Sequence, residues 1–424
     1  MKIVLKAEPL FIAAALAILM GLIAAARADT ASTTQPSAAT ETSTQQSSTA
    51  FDALLTGDWH GDRQKLANAG LSFGATLVLE GFNNFQGGID TGAVGDATID
   101  LNLTADLAKL LNIQGGQFYF DLEDHAFRNP NKLVGPLQSL DEFANPPYLQ
   151  VNELWYQQTL LNGELRVKIG KVDANTEFCV IDNGLTFIND STQVAATAFP
   201  LPTAPDSMPS INLFLKPTDW YFASFGAYYA NRSDRFGDFV DDPSSLMPTR
   251  YGAFFIGETG VRWNNAPLLN LAGNFKIGGW GHTGSFQKLD GSFQTGDAGG
   301  YAIFDQTLYQ PPGESPAGRG IRMFAEYDAT EPDVYPISQH AGIGATLTGP
   351  TQSRNQDIIG FTAQYAQVSR DANLIYPYEL VLEGFYQFQF TPWMQIEPDL
   401  QYLIHPGGRY PDALVGIVRC TIQF

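Results

Sequence analysis

The stretch Tyr378 to Phe424, YELVLEGFYQFQFTPWMQIEPDLQYLIHPGGRYPDALVGIVRCTIQF, alternates between apolar and polar residues in three consecutive segments. In the first segment Leu380 and Leu382 share one register, whereas Glu379 and Glu383 share the other. Because successive side chains of a β-strand point to opposite faces, each segment is predicted to be a strand with one apolar and one polar face.

The length of these strands indicates that they cross a lipid bilayer. Each covers about 10 residues, which matches the tilted strands of transmembrane β-barrels. Unpaired backbone groups are too costly in hydrocarbon, so such strands must close into a barrel. A soluble antiparallel sandwich also alternates and is the alternative.

The beginning of the chain favours export. Residues 1 to 28 contain Lys2 and Lys6, an uncharged apolar run, and Ala26-Arg27-Ala28, which is typical of a secretory signal peptide cut after Ala28. An uncleaved membrane anchor is the alternative. Residues 29 to 50 are mostly Ser, Thr, Ala, Gln and Pro, so a disordered extension is expected there.

Charge and cysteine content exclude several classes of protein. The formal net charge of −20 makes nucleic acid an unsuitable partner for the chain. Its two cysteines, Cys179 and Cys420, predict neither a disulfide framework nor a metal site. Cys420 shares the register of Phe424 and is expected to face lipid.

Residues 51 to 424 are interpreted as one domain, an all-β, single antiparallel transmembrane barrel of about 16 strands with a short N-terminal helix. Asp58 is a suitable helix cap and Gly70 a suitable stop.

Long polar connections are expected at 128–147 and 281–300. Pro398 interrupts a strand that a closed barrel must pair on both sides, which predicts a bulge or a later strand start. Fourteen strands are predicted by alternation, with cores at 71–79, 99–107, 118–122, 154–160, 165–171, 221–229, 260–265, 271–279, 321–328, 341–348, 358–367, 378–390, 394–404 and 414–424.

Four blocks of residues resemble the OprB-type carbohydrate-selective porins, in the same order along the chain. Two departures are His60, where the family usually has Gly, and Asp62, where it often has an apolar residue. The blocks are Gly57 to Arg63, Ile169 to Phe178, Arg354 to Gly360, and Phe385 to Gln401 followed by Pro406-Gly407-Gly408.

This resemblance implies a 16-stranded barrel in the outer membrane of a diderm bacterium. It also implies passive diffusion of monosaccharides and other small solutes, with loops folded inward to narrow the pore. The expected partners are the lipid bilayer and small sugars, and a homo-oligomer is compatible with the sequence. No cofactor is expected.

A porin needs a constriction whose groups replace a solute's hydration shell, not catalytic residues. Charged and amide side chains that bind sugar hydroxyls, next to an aromatic ring, occur together where strand 165–171 enters a long irregular stretch. The alternative is a structural salt bridge that anchors this loop. The block consists of Lys171, Asp173, Asn175, Glu177 and Phe178.

Strand parity predicts further lumenal side chains, each of which could also be an ordinary wall residue. Arg354 and Asp357 either face the lumen or tie a loop to the wall. Five of the six tryptophans, Trp59, Trp155, Trp263, Trp280 and Trp393, are expected mainly at the membrane interface. The lumenal set is Arg166, Lys168, Arg262, Arg322, Glu326, Glu383 and Glu397.

Motifs for other functions are incomplete. Gly279 to Gly284 spells G-x-G-x-x-G, but no helical pattern follows, and the five histidines show no metal-ligand spacing. No nucleophile elbow occurs, so an enzyme is not expected. The alternatives to a sugar channel are a general size-sieving porin and, less favoured, an outer-membrane barrel enzyme or an adhesin.

Overall fold

The computed structural model describes residues 51–229, 252–264, 271–315 and 318–424. Phe51 to Phe424 form one compact unit. The predicted signal peptide at 1–28 and extension at 29–50 lie outside the described residues, so both stay predictions.

Sixteen antiparallel strands form a closed barrel in which each strand pairs with its neighbours in sequence and β1 pairs with β16. This confirms the predicted fold class. The two strands that alternation did not predict are β6 and β10. The strands are β1 Leu71–Gln86, β2 Gly92–Asp106, β3 Gly116–Phe127, β4 Tyr148–Leu160, β5 Leu165–Val172, β6 Met208–Leu215, β7 Tyr221–Tyr229, β8 Ala253–Trp263, β9 Gly273–Gln287, β10 Phe293–Tyr309, β11 Gly320–Thr330, β12 Ile337–Thr348, β13 Ile358–Val368, β14 Tyr378–Thr391, β15 Met394–Ile404 and β16 Ala413–Gln423.

Side chains alternate between the lumen and the outside of the barrel along most of the strands, and most regularly along β6. Along β6, Ser210 and Asn212 are buried inside, whereas Ile211 and Leu213 are exposed on the outer wall. Exposed apolar residues such as Phe361 recur on other strands. An apolar outer surface of this kind is what a bilayer requires of a barrel wall.

Pro398 disturbs the barrel less than predicted. β15 begins at Met394 and runs through Pro398, and its register with β14 is the same on either side of that residue. Both expectations, a bulge and a later start, are therefore wrong. Pro398 is exposed on the outer wall and still lies opposite Val418 of β16.

Residues 281–300, predicted as a long polar connection, belong mostly to β9 and β10, which are joined by a short turn at 288–292. Two long connections lie wholly within the described residues: the predicted one between β3 and β4 (residues 128–147) and one between β5 and β6 (residues 173–207). We call them the β3–β4 loop and the β5–β6 loop.

Three short α-helices occur among the described residues: α1 Asp62–Ala69, α2 Leu107–Leu111 and α3 Asn131–Val134. The predicted N-terminal helix is α1, which ends at Gly70 in the left-handed conformation with φ 103°. A short 3-10 turn at Trp59–Gly61 precedes it, and the Asp58 carboxylate accepts a hydrogen bond from the Gln64 N–H. None of the helices among the described residues is both long and apolar enough to cross a membrane.

Helix α1 fastens the seam of the barrel. Arg63 is buried and its guanidinium donates to the carbonyl oxygens of Phe73 in β1 (2.9 Å) and Phe424 (2.8 Å). The same guanidinium lies 4.6 Å from the ring centre of Trp59. One cation therefore links the first strand and the last residue of the chain.

Candidate functional site

The β5–β6 loop folds into the barrel and fills part of the lumen. Its side chains Phe178, Ile181 and Phe187 have no exposed surface. The Phe187 ring packs edge-on against Phe324 and Phe385 of the wall, with ring centres 5.8 and 4.9 Å away. Burying one such side chain contributes about 1.5–3 kcal/mol. Apolar packing therefore holds the loop inside.

Carboxylates on the wall hold the same loop through its backbone. Hydrogen bonds of this kind, from a backbone N–H to a carboxylate, are stronger than neutral ones. The loop thus has a fixed position across the lumen. The contacts are Cys179 N–H to Glu258 (3.2 Å), Asn183 N–H to Asp305 (2.8 Å), Ile188 N–H to Glu383 (2.7 Å) and Thr197 N–H to Asp328 (2.8 Å).

The β3–β4 loop is anchored inside in a similar way. The Glu379 carboxylate of β14 accepts from the N–H groups of Leu137 and Gln138, both at 2.8 Å. Arg419 of β16 forms ion pairs with Asp141 and Glu142 of this loop, each at 2.7 Å. Two loops therefore narrow the lumen, and both are anchored to β14.

A compact charged cluster lies where β5 meets its loop. The Arg166 guanidinium donates to both oxygens of Glu177, at 2.7 and 2.6 Å, and Lys168 Nζ lies 2.5 Å from the same carboxylate. Burial opposes ionisation of Glu177, but its hydrogen bond to Arg166 and the charge of Lys168 outweigh burial and lower its pKa below 4.5. Glu177 thus stays ionised at neutral pH between two cations.

A cavity of about 350 Å³ opens beside this cluster. Its lining includes Arg166, Glu177 and Asp182 together with Phe222, Arg262 and Lys276. The exposed Arg262 guanidinium lies 4.9 Å from the centre of the Phe222 ring. An adjoining space of about 270 Å³ shares Asp182 and Arg262 and reaches Arg322. Opposite charges and an aromatic ring therefore face one water-filled region.

The other residues of the predicted block lie in the packed base of the loop. Lys171 donates to the Val151 carbonyl oxygen at 2.6 Å, and Asp173 accepts from the N–H groups of Asn175 (2.8 Å) and Ala204 (3.0 Å). Asn175 donates to the Phe178 carbonyl oxygen at 3.2 Å. Burial raises the pKa of Asp173. These contacts stabilise the entry of the chain into the loop.

The remaining predicted residues are spread over the wall. Arg322 donates to Thr348 (3.0 Å), and Glu326 is buried deeper in the same strand. Arg354 lies 3.7 Å from Asp357, which accepts from the Tyr386 hydroxyl at 2.8 Å. These contacts tie the β12–β13 connection to β14.

The tryptophan expectation is wrong for Trp155 and Trp280. Both side chains are buried and face inward, where Trp280 packs edge-on against Phe199 of the β5–β6 loop at 5.7 Å between ring centres. The lumen contains an apolar loop that needs an apolar wall, so these rings serve the inner packing.

Most residues that line the cavity were absent from the sequence-based set, among them Asp182, Phe222 and Lys276. Lys276 pairs with Asp182 at 3.6 Å. Parity within β9 could have indicated Lys276, because Ile277 in the opposite register is exposed outside. The position of Asp182 depends on how the loop folds, for which the local sequence has no signal.

Comparisons with known proteins agree with this architecture. The structure of OprB from Pseudomonas putida at high pH superimposes with a TM-score of 0.79, at 20% identity, covering 88% of this chain and 99% of that one. The low-pH structure of the same protein gives a TM-score of 0.60 at 20% identity, covering 88% and 98%. Porin B of Pseudomonas aeruginosa is 24% identical over 432 residues, which is 87% of this chain and 91% of that protein.

The family model described as carbohydrate-selective porin, OprB family, matches residues 92–424. That match covers most of the chain and nearly all of the barrel. This chain is therefore a channel of the bacterial outer membrane, not an enzyme, and it belongs to the OprB family of carbohydrate-selective porins.

Proposed function

We propose that sugars diffuse through the lumen along the cavity beside the β5–β6 loop, and that Arg166, Glu177 and Arg262 exchange hydrogen bonds with their hydroxyl groups. The observation that carries this proposal is the 350 Å³ cavity, in which these charges face the Phe222 ring. Charged groups can replace part of a sugar's hydration shell, and an aromatic face can pack on its C–H surface.

Arg262 is the residue of this set with the most freedom to bind a solute. Its guanidinium is exposed, and no ion pair involves it within the described part of the chain. Arg166, by contrast, is engaged with Glu177. We therefore expect Arg262 to contribute to sugar preference and Arg166 mainly to hold the shape of the cavity.

Liposome swelling tests this proposal. Wild-type channels should admit glucose faster than a neutral amino acid of similar size, and Arg262→Ala should reduce that ratio by about 3-fold or more, the loss of one hydrogen bond to a charged group. Arg409→Ala is the matched control, since Arg409 is exposed in the β15–β16 connection and lines neither cavity. Equal rates for glucose and the amino acid in the wild type would favour a general size-sieving porin.

We also propose that residues 1–28 are removed after Ala28 during export. The basic start, apolar centre and Ala26-Arg27-Ala28 support this. N-terminal sequencing of the protein from outer membranes should begin at Asp29, and a start at Met1 would contradict it. A homo-oligomer stays a prediction, which light scattering of the detergent-solubilised protein would test.

A further inference from the structure

Three side chains with metal-binding donor atoms meet under the β5–β6 loop, away from the cavity described above. Glu326 and Asp328 lie on β11, and His340 lies opposite Asp328 on β12. Their exposed fractions are 6%, 1% and 1%. One donor atom from each lies within 4.8 Å of the others.

Several of these donor atoms have no hydrogen-bond partner. Both carboxylate oxygens of Glu326 and Nε2 of His340 are buried and unpaired. The amide oxygen Oε1 of Gln364, on neighbouring β13, is also buried and unpaired. It faces the same place, because a Cβ added to Gly342 would lie 1.9 Å from Gln364 Oε1 and 2.5 Å from Glu326 Oε1. Three inward-facing side chains, those of Glu326, His340 and Gln364, thus carry four buried donor atoms without a hydrogen-bond partner.

The charge balance of this place is negative. Each oxygen of Asp328 already has one partner, since Oδ1 accepts from the Thr197 N–H and Oδ2 lies 2.8 Å from His340 Nδ1, and each keeps a second lone pair for an ion. The charges that act on Glu326 are those of Asp328 and Asp305, and both are negative. Within the described residues, neither Glu326 nor Asp328 forms an ion pair with Lys or Arg. Buried carboxylates without a cation are costly, and a divalent ion would neutralise two of them.

We propose that Glu326, Asp328 and His340, with Gln364 Oε1 as a fourth donor, bind a divalent transition-metal ion such as zinc. Mixed carboxylate and imidazole ligands suit these ions. Bonds of about 2.0–2.2 Å place two ligands of one ion up to about 4.4 Å apart, so small side-chain rotations suffice. Because Asp328 also accepts the Thr197 N–H, the ion would fasten the β5–β6 loop to the wall.

Zinc titration by calorimetry tests this on the folded, detergent-solubilised chain after treatment with a chelator. The wild type should bind one zinc ion that Glu326→Gln and His340→Asn each weaken by about 10-fold or more. His282→Asn is the matched control: His282 is another buried lumenal imidazole, but its Nδ1 accepts from the Gly284 N–H and it forms no ion pair within the described residues. It should leave zinc binding unchanged.

Two outcomes would overturn the proposal. One is a folded wild type that binds no zinc. The Gln364 side chain would then have its amide NH₂ group, not Oε1, next to Glu326 and would donate a hydrogen bond to that carboxylate. The other is zinc binding that Glu326→Gln and His340→Asn weaken no more than His282→Asn does. Anomalous scattering at the zinc edge from wild-type crystals tests the site without any variant. We expect a peak in the anomalous map between β11 and β12. A map with peaks only at other places would refute the site.

Discussion

Replacing Glu383 by Leu should release the middle of the β5–β6 loop while leaving the barrel closed. Glu383 is fully buried on β14. Its carboxylate accepts from the Ile188 N–H at 2.7 Å and, more weakly, from the Asn189 N–H at 3.4 Å. Leucine removes both acceptors and leaves the two N–H groups buried without a partner.

The size of the effect follows from these two contacts. A buried N–H that loses a charged acceptor costs about 1–3 kcal/mol, so the strong and the weak contact together are worth about 2–5 kcal/mol. At about 1.4 kcal/mol per factor of ten, the population of the released loop rises roughly 30- to 3,000-fold. The packing of Phe187 against Phe324 and Phe385 opposes release and keeps the effect local.

Limited proteolysis with chymotrypsin reads this release directly. Phe187 has no exposed surface, so the wild type should resist cleavage after it, whereas Glu383→Leu should be cleaved there. The control is Glu397→Leu, which removes an equally buried lumenal carboxylate on β15 whose partner is the wall residue Gln387 at 2.7 Å. Equal protection of the wild type and Glu383→Leu, or equal cleavage in both variants, would refute the anchoring role of Glu383.

Three further changes test other contacts. Arg419→Met removes the cation that joins Glu80, Asp141 and Glu142, and because it leaves buried carboxylates unpaired it should lower stability by about 3–5 kcal/mol in urea titrations. Asp190→Asn addresses pH: burial raises the pKa of Asp190 to about 7 from 3.8, so the fold loses stability as pH rises between these values. The variant should therefore raise the thermal midpoint by several degrees at pH 8 and not at pH 3. Arg63→Ala should lower the temperature at which the folded band disappears on gels, because it removes the hydrogen bonds to Phe73 and Phe424.

Alternation predicted an antiparallel barrel and fourteen of its sixteen strands. It failed for β10, whose inner face carries Tyr301 and Ile303 because those side chains pack in the apolar cluster with the β5–β6 loop. A strand that is apolar on both faces loses the period-two signal. For the same reason the prediction that Trp155 and Trp280 lie at the membrane interface was wrong, since both side chains pack in this inner apolar cluster. A lumen that contains a folded loop is partly a protein core.

The candidate site was less accessible to sequence-based reasoning. Parity indicated Arg166, Lys168 and Arg262, because each lies on a regular strand. Contacts between loop and wall join residues far apart in the chain, such as Asn183 and Asp305, and no local pattern reports them. The pairing of Asp328 with His340 was missed for a related reason, since metal-ligand spacings along one element do not describe donors on two paired strands.

The seam between β1 and β16 has a consequence for how the protein matures. The Phe424 N–H donates to the Ala75 carbonyl oxygen at 2.9 Å, and the Arg63 guanidinium donates to the carbonyl oxygen of Phe424. The barrel therefore closes only when β16 has paired with both β1 and β15. A chain truncated before Ala413 would therefore leave the edges of β1 and β15 unpaired and able to pair with strands of other chains.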